Sequence, residues 1–198
     1  MKASDLEKIE QFCRPYYYGT GRWHAWDHAQ AIKKLSLDIA VKEVKEADRL
    51  IVQAAGVIHD IGRIIKDEGH AEESGRIVEP FLRSMELSEL DVEKIIDAVV
   101  HHDVNEIDKS KYIEARVVFD ADKIEILSVY GFWRVAYWLV EERRMELGEA
   151  IRFLDEYCAK FRSKLHSSHA KAIADKEYPL VQRMIKLFNA HEQKWRAR

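Results

Sequence analysis

The residues of this chain that could do chemistry begin with a histidine followed by an aspartate inside an apolar run. His59 and Asp60 stand in GVIHDIGR, residues 56–63. A buried acid is costly unless it is paired, hydrogen-bonded or bound to a metal. The simplest interpretation is a core histidine beside an aspartate that caps a helix or bridges to Arg63. The alternative is that the pair binds a metal ion.

Two further segments favour the metal. His28 lies 31 residues upstream at the head of a predicted helix, and FDADK, residues 119–123, lies downstream on another apolar helix. Two imidazoles and two carboxylates form a mixed nitrogen and oxygen ligand set, which suits a divalent transition metal such as Mn²⁺, Fe²⁺, Co²⁺, Ni²⁺ or Zn²⁺. Mg²⁺ is also compatible with the carboxylates. Three helices could then be joined at one ion.

Composition limits the other function classes. The 198 residues include 32 Lys and Arg against 35 Asp and Glu, a net charge of -3, and no block of like charge stands out. This balance predicts no nucleic-acid polymer as a partner. Cys13 and Cys158 have no metal or redox spacing, and no apolar run approaches the ~20 residues that a membrane span needs. The first ten residues are too polar for a secretory signal. We expect a cytoplasmic protein with no membrane partner.

Hydrophobic periodicity predicts that helices position these groups. Apolar residues recur at helical spacing from Asp27 to Val44, with Asp27 as the N-cap, and from Glu46 to Ile61. Further helices are predicted at about 70–86, 89–102, 114–142, 148–174 and 178–195, with breaks near Gly69, Ser88, the stretch DVNEIDKSK, Gly148 and Tyr178-Pro179. The prediction is one all-α domain over residues 1–198, an irregular helical bundle rather than a regular four-helix barrel.

The order of these residues resembles the H…HD…D signature of the HD-domain metal-dependent phosphohydrolases. WHAWDHAQAI at 23–32 is similar to the opening helix of that family, GVIHDIGR to its central motif and VVFDADKIEILSVYGFWR to its last motif. The resemblance implies an HD-type bundle, with metal-binding helices over about 23–142 and C-terminal helices over about 148–195, as in the small bacterial and archaeal members.

The resemblance also implies a role for each matching residue. His28, His59, Asp60 and Asp122 match the four metal ligands of the family. Asp120 competes with Asp122, and positions i and i+2 do not share a helix face. Asp122 is preferred because the family's ligand is followed by a basic and then an apolar residue.

His70 and His102 match two further histidines of a five-part signature, H…HD…H…H…D, whose members hold a second metal. The alternatives are that His70 caps its helix and that His102 is a helix-end histidine favoured by the helix dipole. With one metal, His70 would instead orient the attacking water or protonate the leaving group. Asp60 could bridge two ions. We expect one tightly held metal and a second that is weaker or substrate-dependent.

The implied reaction is hydrolysis of a phosphoester or phosphoanhydride bond in a nucleotide or similar small phosphate by metal-activated water. Asp60, His70 and Lys123 are the predicted catalytic residues. Phosphate oxygens also need cations or donors away from the metal, and Lys123, His24 and Arg134 are predicted to bind the substrate. His24 faces the same pocket if the turn before His28 is helical. The ordinary alternative for Lys123 and Arg134 is a surface salt bridge.

Two other function classes stay open. Some proteins with the five-part signature are diiron oxygenases, and a metal-stabilised nucleotide-binding regulatory module without turnover has the same ligands. The aromatic residues of the first and last motifs either stack on a base or form the core or a homodimer interface.

Overall fold

The computed structural model describes residues 1–19 and 23–196. In these ranges it contains nine α-helices and no strands, which confirms the all-α prediction. The helices are α1 Ala3–Cys13, α2 Trp26–Lys42, α3 Arg49–Ile58, α4 His70–Ser84, α5 Glu89–Val100, α6 Ile113–Ile126, α7 Val129–Glu141, α8 Leu147–Lys164 and α9 Ser168–Arg196. Short 3-10 helices cover Tyr16–Tyr18, Ile61–Ile64 and Ile107–Lys109. No helix in the described part of the chain is long and apolar enough to cross a membrane.

The described residues divide into two compact units between Asp122 and Lys123. In the first unit, α3 packs against α1, α2, α4 and α5. Seven of its ten residues are buried, including Gly56, where an added Cβ would lie 3.2 Å from the backbone of α2. In the second unit, α7, α8 and α9 pack against one another. The prediction of one domain over residues 1–198 stays a prediction.

The helix that carries the His-Asp pair ends earlier than its periodicity predicts. It begins at the N-cap Asp48, whose carboxylate accepts the Leu50 and Ile51 N–H groups. It stops at Ile58, so His59 and Asp60 lie in the turn that follows, and the predicted helical boundary at Ile61 is wrong. The pair therefore projects from a helix end, where side chains of neighbouring elements can converge on it.

The other boundaries of the first unit differ in smaller ways. Asp27 was predicted as the N-cap of α2, but Ala25 holds that position, and the Asp27 carboxylate accepts the His28 N–H inside the first turn. Helix α1 has no counterpart among the predicted helices. It contributes Leu6, Ile9 and Cys13 to the core of its unit.

The predicted helix 114–142 is two helices, α6 and α7. Ser128 caps α7, its hydroxyl accepting the Gly131 N–H, and a Cβ at Gly131 would lie 2.0 Å from the Glu125 carbonyl oxygen. The predicted break at Tyr178-Pro179 is wrong, because Pro179 lies inside α9. The buried stripe Ala174, Tyr178, Val181 and Ile185 continues across the proline, and its burial outweighs the missing N–H.

Candidate metal centre

Five of the six predicted ligands meet in two overlapping groups within the first unit. His28, His59 and Asp60 form one group, and Asp60, His70 and His102 form the other; the ligand atoms of each group lie within 4.8 Å of one another. All five side chains are buried, and His59 is fully inaccessible. Asp60 belongs to both groups, so its carboxylate is the point at which they join.

The first group gathers around one oxygen of Asp60. The Nε2 atoms of His28 and His59 are 3.3 Å apart, and Asp60 Oδ2 lies 3.4 Å from His59 Nε2 and 3.7 Å from His28 Nε2. Asp122 reaches the group through His28, with Oδ1 3.6 Å from the same Nε2. Two ligand atoms that each lie about 2.1 Å from one ion are roughly 3.0 to 3.4 Å apart. The observed separations fit a shared ion after small adjustments.

The second group faces the other oxygen of the same carboxylate. Asp60 Oδ1 lies 3.1 Å from His70 Nε2 and 3.9 Å from His102 Nε2. The two Nε2 atoms are 3.2 Å apart. Oδ1 is buried, and the Arg63 guanidinium also reaches it, with Nε 2.8 Å away. The carboxylate is thus oriented with one oxygen toward each group.

Backbone carbonyls determine the tautomers of three of these histidines. In His59, His70 and His102 the Nδ1–H donates to the carbonyl three residues earlier, at Gly56, Asp67 and Val99, over 2.8, 2.8 and 2.7 Å respectively. A carbonyl only accepts, so each Nδ1 carries the proton and each neutral ring presents its Nε2 lone pair, as a metal ligand does. The Nε2 atoms of His70 and His102 face each other over 3.2 Å, and a shared cation or a shared proton would bring two such lone pairs together favourably.

The charge on Asp60 is maintained despite its burial. Burial raises the pKa of this carboxyl, but the Arg63 guanidinium and the His59 imidazole outweigh that effect and hold the pKa well below its usual range. Burial lowers the pKa of the His59 imidazole, but the carboxylates of Asp60 and Asp122 and the Gly56 carbonyl together raise it above its ordinary value. The centre therefore combines an ionised Asp60 carboxylate with a His59 imidazole whose pKa lies above its ordinary value.

Arg63 contacts two residues of the second group, Asp60 and His70. Its Nε is 2.8 Å from Asp60 Oδ1, and its Nη2 donates to His70 Nε2 over 3.1 Å. The bridge from Asp60 to Arg63, which the sequence offered as the simplest interpretation, is present together with the converging histidines.

Ser74 holds the turn that carries the His-Asp pair, and sequence reasoning missed it. Its hydroxyl donates to the His59 carbonyl and accepts the Gly62 N–H, both over 2.8 Å. A Cβ at Gly62 would lie 2.2 Å from the His70 carbonyl oxygen, so only glycine allows the turn to approach α4 this closely. Gly69, at φ 72°, completes the reversal of the chain before His70. The available signal in the sequence was a serine at helical spacing between the apolar Ala71 and Val78.

The sequence left a purely structural alternative for His70 and another for His102, and the two have different outcomes. Gly69 is the N-cap of α4, and no side chain caps that helix, so the cap interpretation of His70 is wrong. His102 lies beyond the C-cap His101 and bonds to the last turn of α5 through Val99, as the helix-end interpretation expects. The same ring also places Nε2 3.2 Å from His70 Nε2. The role of His102 as a metal ligand stays a prediction.

The remaining predicted residues have contacts of their own. His24 precedes α2 and is not in a helical turn, yet its ring centroid lies 6.0 Å from that of His28. Asp120 and Asp122 are both buried on α6. In the second unit, Lys123 Nζ lies 5.2 Å from the Phe161 ring centre. The buried Arg134 donates to both carboxylate oxygens of Glu125, over 3.1 and 2.7 Å. The substrate-binding roles of His24, Lys123 and Arg134 stay predictions.

Comparison with known proteins assigns the class. The model of the HD domain family matches residues 23–127, more than half of the chain. The chain belongs to the HD domain family. A search of curated proteins finds no match.

Solved structures share the fold over nearly the whole chain. A Lactobacillus plantarum protein has a TM-score of 0.79 at 19% identity, over 100% of this chain and 99% of its own. Bacillus subtilis YpgQ, in complex with ADP, has a TM-score of 0.73 at 19% identity, over 94% and 97%. An HD-superfamily hydrolase from Bacillus thuringiensis has a TM-score of 0.69 at 17% identity, over 100% of both chains. At these identities the likeness establishes the fold.

Proposed function

We propose that the protein is a metal-dependent hydrolase that cleaves a phosphoester or phosphoanhydride bond of a nucleotide or another small phosphate. The observation that carries the proposal is the buried convergence of imidazole Nε2 atoms on the two oxygens of the ionised Asp60. Membership of the HD domain family supports it. The ADP bound to Bacillus subtilis YpgQ supports a nucleotide as the ligand.

In this proposal His28, His59, Asp60 and Asp122 hold one divalent ion. The contact of Asp122 with His28 favours Asp122 over Asp120 as the fourth ligand. When bound there, a divalent ion would polarise a phosphoryl oxygen and lower the pKa of bound water toward ~7. The nitrogen and oxygen donors fit Mn²⁺, Fe²⁺, Co²⁺, Ni²⁺ or Zn²⁺.

The protein's own residues then orient and protonate the reactants. Asp60 Oδ1 forms an ion pair with Arg63 Nε over 2.8 Å. A carboxylate oxygen has two lone pairs, so Oδ1 can also accept a hydrogen bond from the attacking water. His70 Nε2 lies 3.1 Å from that oxygen, where the imidazole can take a proton from the water or return one to the leaving group. Lys123, His24 and Arg134 are assigned to the phosphate oxygens, which need positive charge or donors away from the metal.

The test is a panel of nucleotides and phosphate esters crossed with Mn²⁺, Co²⁺, Ni²⁺, Mg²⁺, Fe²⁺ and Zn²⁺. We expect release of phosphate or pyrophosphate from at least one substrate, and no release by a His28→Ala variant. No release under any metal contradicts the proposal. Nucleotide binding without turnover would favour the regulatory module, and O₂ uptake after anaerobic iron loading would favour the diiron oxygenase.

A further inference from the structure

We infer that Arg63 is a built-in competitor of the second metal ion. Its guanidinium takes the place of that ion at Asp60 and His70, and it must leave before the second group can bind metal. This inference rests on the proposed metal centre and adds a residue that controls how many ions the centre holds.

The contacts of the guanidinium coincide with the ligand atoms of the second group. Nε lies 2.8 Å from Asp60 Oδ1, and Nη2 lies 3.1 Å from His70 Nε2. An ion would have to lie about 2.1 Å from each of these two atoms. A cation bound there and a guanidinium at its present distance would crowd and repel each other. The two occupants therefore exclude one another.

The competitor cannot be removed by deprotonation, because an arginine stays charged at any pH at which the protein is folded. It has to move. Arg63 stands on the 3-10 helix Ile61–Ile64, and its side chain is 15% exposed, so it reaches the edge of the centre. Asp67 Oδ1 lies 3.5 Å from Nη1 and is 34% exposed. This carboxylate offers the guanidinium a partner nearer to solvent once it leaves Asp60.

The first group does not share this competition to the same degree. Its ligand atoms are the other oxygen of Asp60 and the Nε2 atoms of His28 and His59, whereas the Arg63 contacts fall on Oδ1 and on His70. Without an ion, Arg63 supplies the positive charge that the buried Asp60 requires. We therefore expect two ions of unequal affinity: the first binds a group whose ligand atoms Arg63 does not contact, and the second must displace the arginine.

The experiment compares Mn²⁺ binding to the full chain and to Arg63→Gln, by calorimetric titration and by elemental analysis of dialysed protein. We expect the second ion to bind about tenfold or more tightly to the variant, because a neighbouring positive charge is gone. The affinity of the first ion should change much less. An exchange-coupled Mn²⁺ pair should appear in the paramagnetic resonance spectrum of the variant at lower metal concentration than in the wild type.

Three further variants make the result specific. Arg76→Gln removes the same charge from an exposed side chain, 68% accessible and paired with Glu73, and should match the wild type. Arg63→Met repeats the neutralisation with another side chain of similar length, in case the glutamine variant folds poorly. His102→Ala in the Arg63→Gln background should abolish the gained ion.

Two outcomes overturn the inference in distinguishable ways. If wild type and variant hold one tight ion and an equally weak second one, Arg63 does not compete and the metal centre stands. If neither protein binds Mn²⁺, or any other of the metals proposed above, the metal centre itself is wrong, and the role of Arg63 is wrong with it.

Discussion

Replacement of Ser74 by alanine tests whether the turn that carries His59 and Asp60 is held in place by one hydroxyl. The hydroxyl is fully buried and serves two backbone groups, the Gly62 N–H and the His59 carbonyl, each over 2.8 Å. Alanine is nearly the same size as serine, so the substitution leaves no large cavity that would add to the loss of stability. Each backbone group loses its partner in the interior at about 1 to 2 kcal/mol, so we expect the free energy of unfolding to fall by about 2 to 4 kcal/mol. That loss is a large part of the free energy of unfolding of a typical folded domain, which is about 5 to 15 kcal/mol.

The assay is urea unfolding of metal-free protein, followed by circular dichroism. Ser84→Ala is the matched control: Ser84 lies on the same helix, its hydroxyl donates to the Phe81 carbonyl over 2.7 Å, and it is exposed. The control should change the free energy of unfolding by less than about 0.5 kcal/mol. Metal affinity of Ser74→Ala should also drop, by about tenfold to a hundredfold, because residues behind metal ligands orient them. If the two serine variants are equally stable, the clamp does not hold the turn and the reasoning fails.

Two other substitutions have predicted effects, one at the metal centre and one at a buried thiol. Asp60→Asn should lower bound metal and hydrolytic activity together while the helix content stays near that of the wild type; a variant with full metal content and normal turnover would return the pair to a structural role. Burial raises the pKa of the Cys158 thiol to about 12, so the folded state keeps the proton while the unfolded state releases it above about pH 8.5. The stability contributed by the protonated thiol is therefore present below that pH and is lost as the pH rises toward 12, by about 1.4 kcal/mol per pH unit. Unfolding of Cys158→Ala between pH 9 and 10 should show a correspondingly shallower slope than the wild type, and equal slopes would count against this account.

Much of the first unit was predictable because its signals are local. Apolar residues at helical spacing define α2 to α5 to within a few residues, and Ser88 and Gly69 mark helix starts by their own chemistry. The all-α class needs no more than these patterns. The order of His28, His59, Asp60 and the aspartates of FDADK was enough to nominate a metal centre in the HD domain family.

Boundaries that depend on contacts between distant residues were not predictable from the same patterns. Periodicity continues through Ile61, but the chain leaves the helix at His59 and turns against α4 at Gly62. Pro179 is a breaker by its own chemistry, yet the buried face of α9 carries the helix through it. In each case a tertiary contact outweighs a local preference.

The sequence by itself determined which elements form and which residue types are available for chemistry, because both are properties of short segments. Only the tertiary structure decided how the two oxygens of Asp60 are divided, one toward His28 and His59 and the other toward His70 and His102. The same holds for the position of Arg63 against the second pair. The physical reason is that a carboxylate has two equivalent acceptors, and no local pattern distinguishes them; their surroundings come from side chains that lie far apart in the chain and meet only when the helices pack.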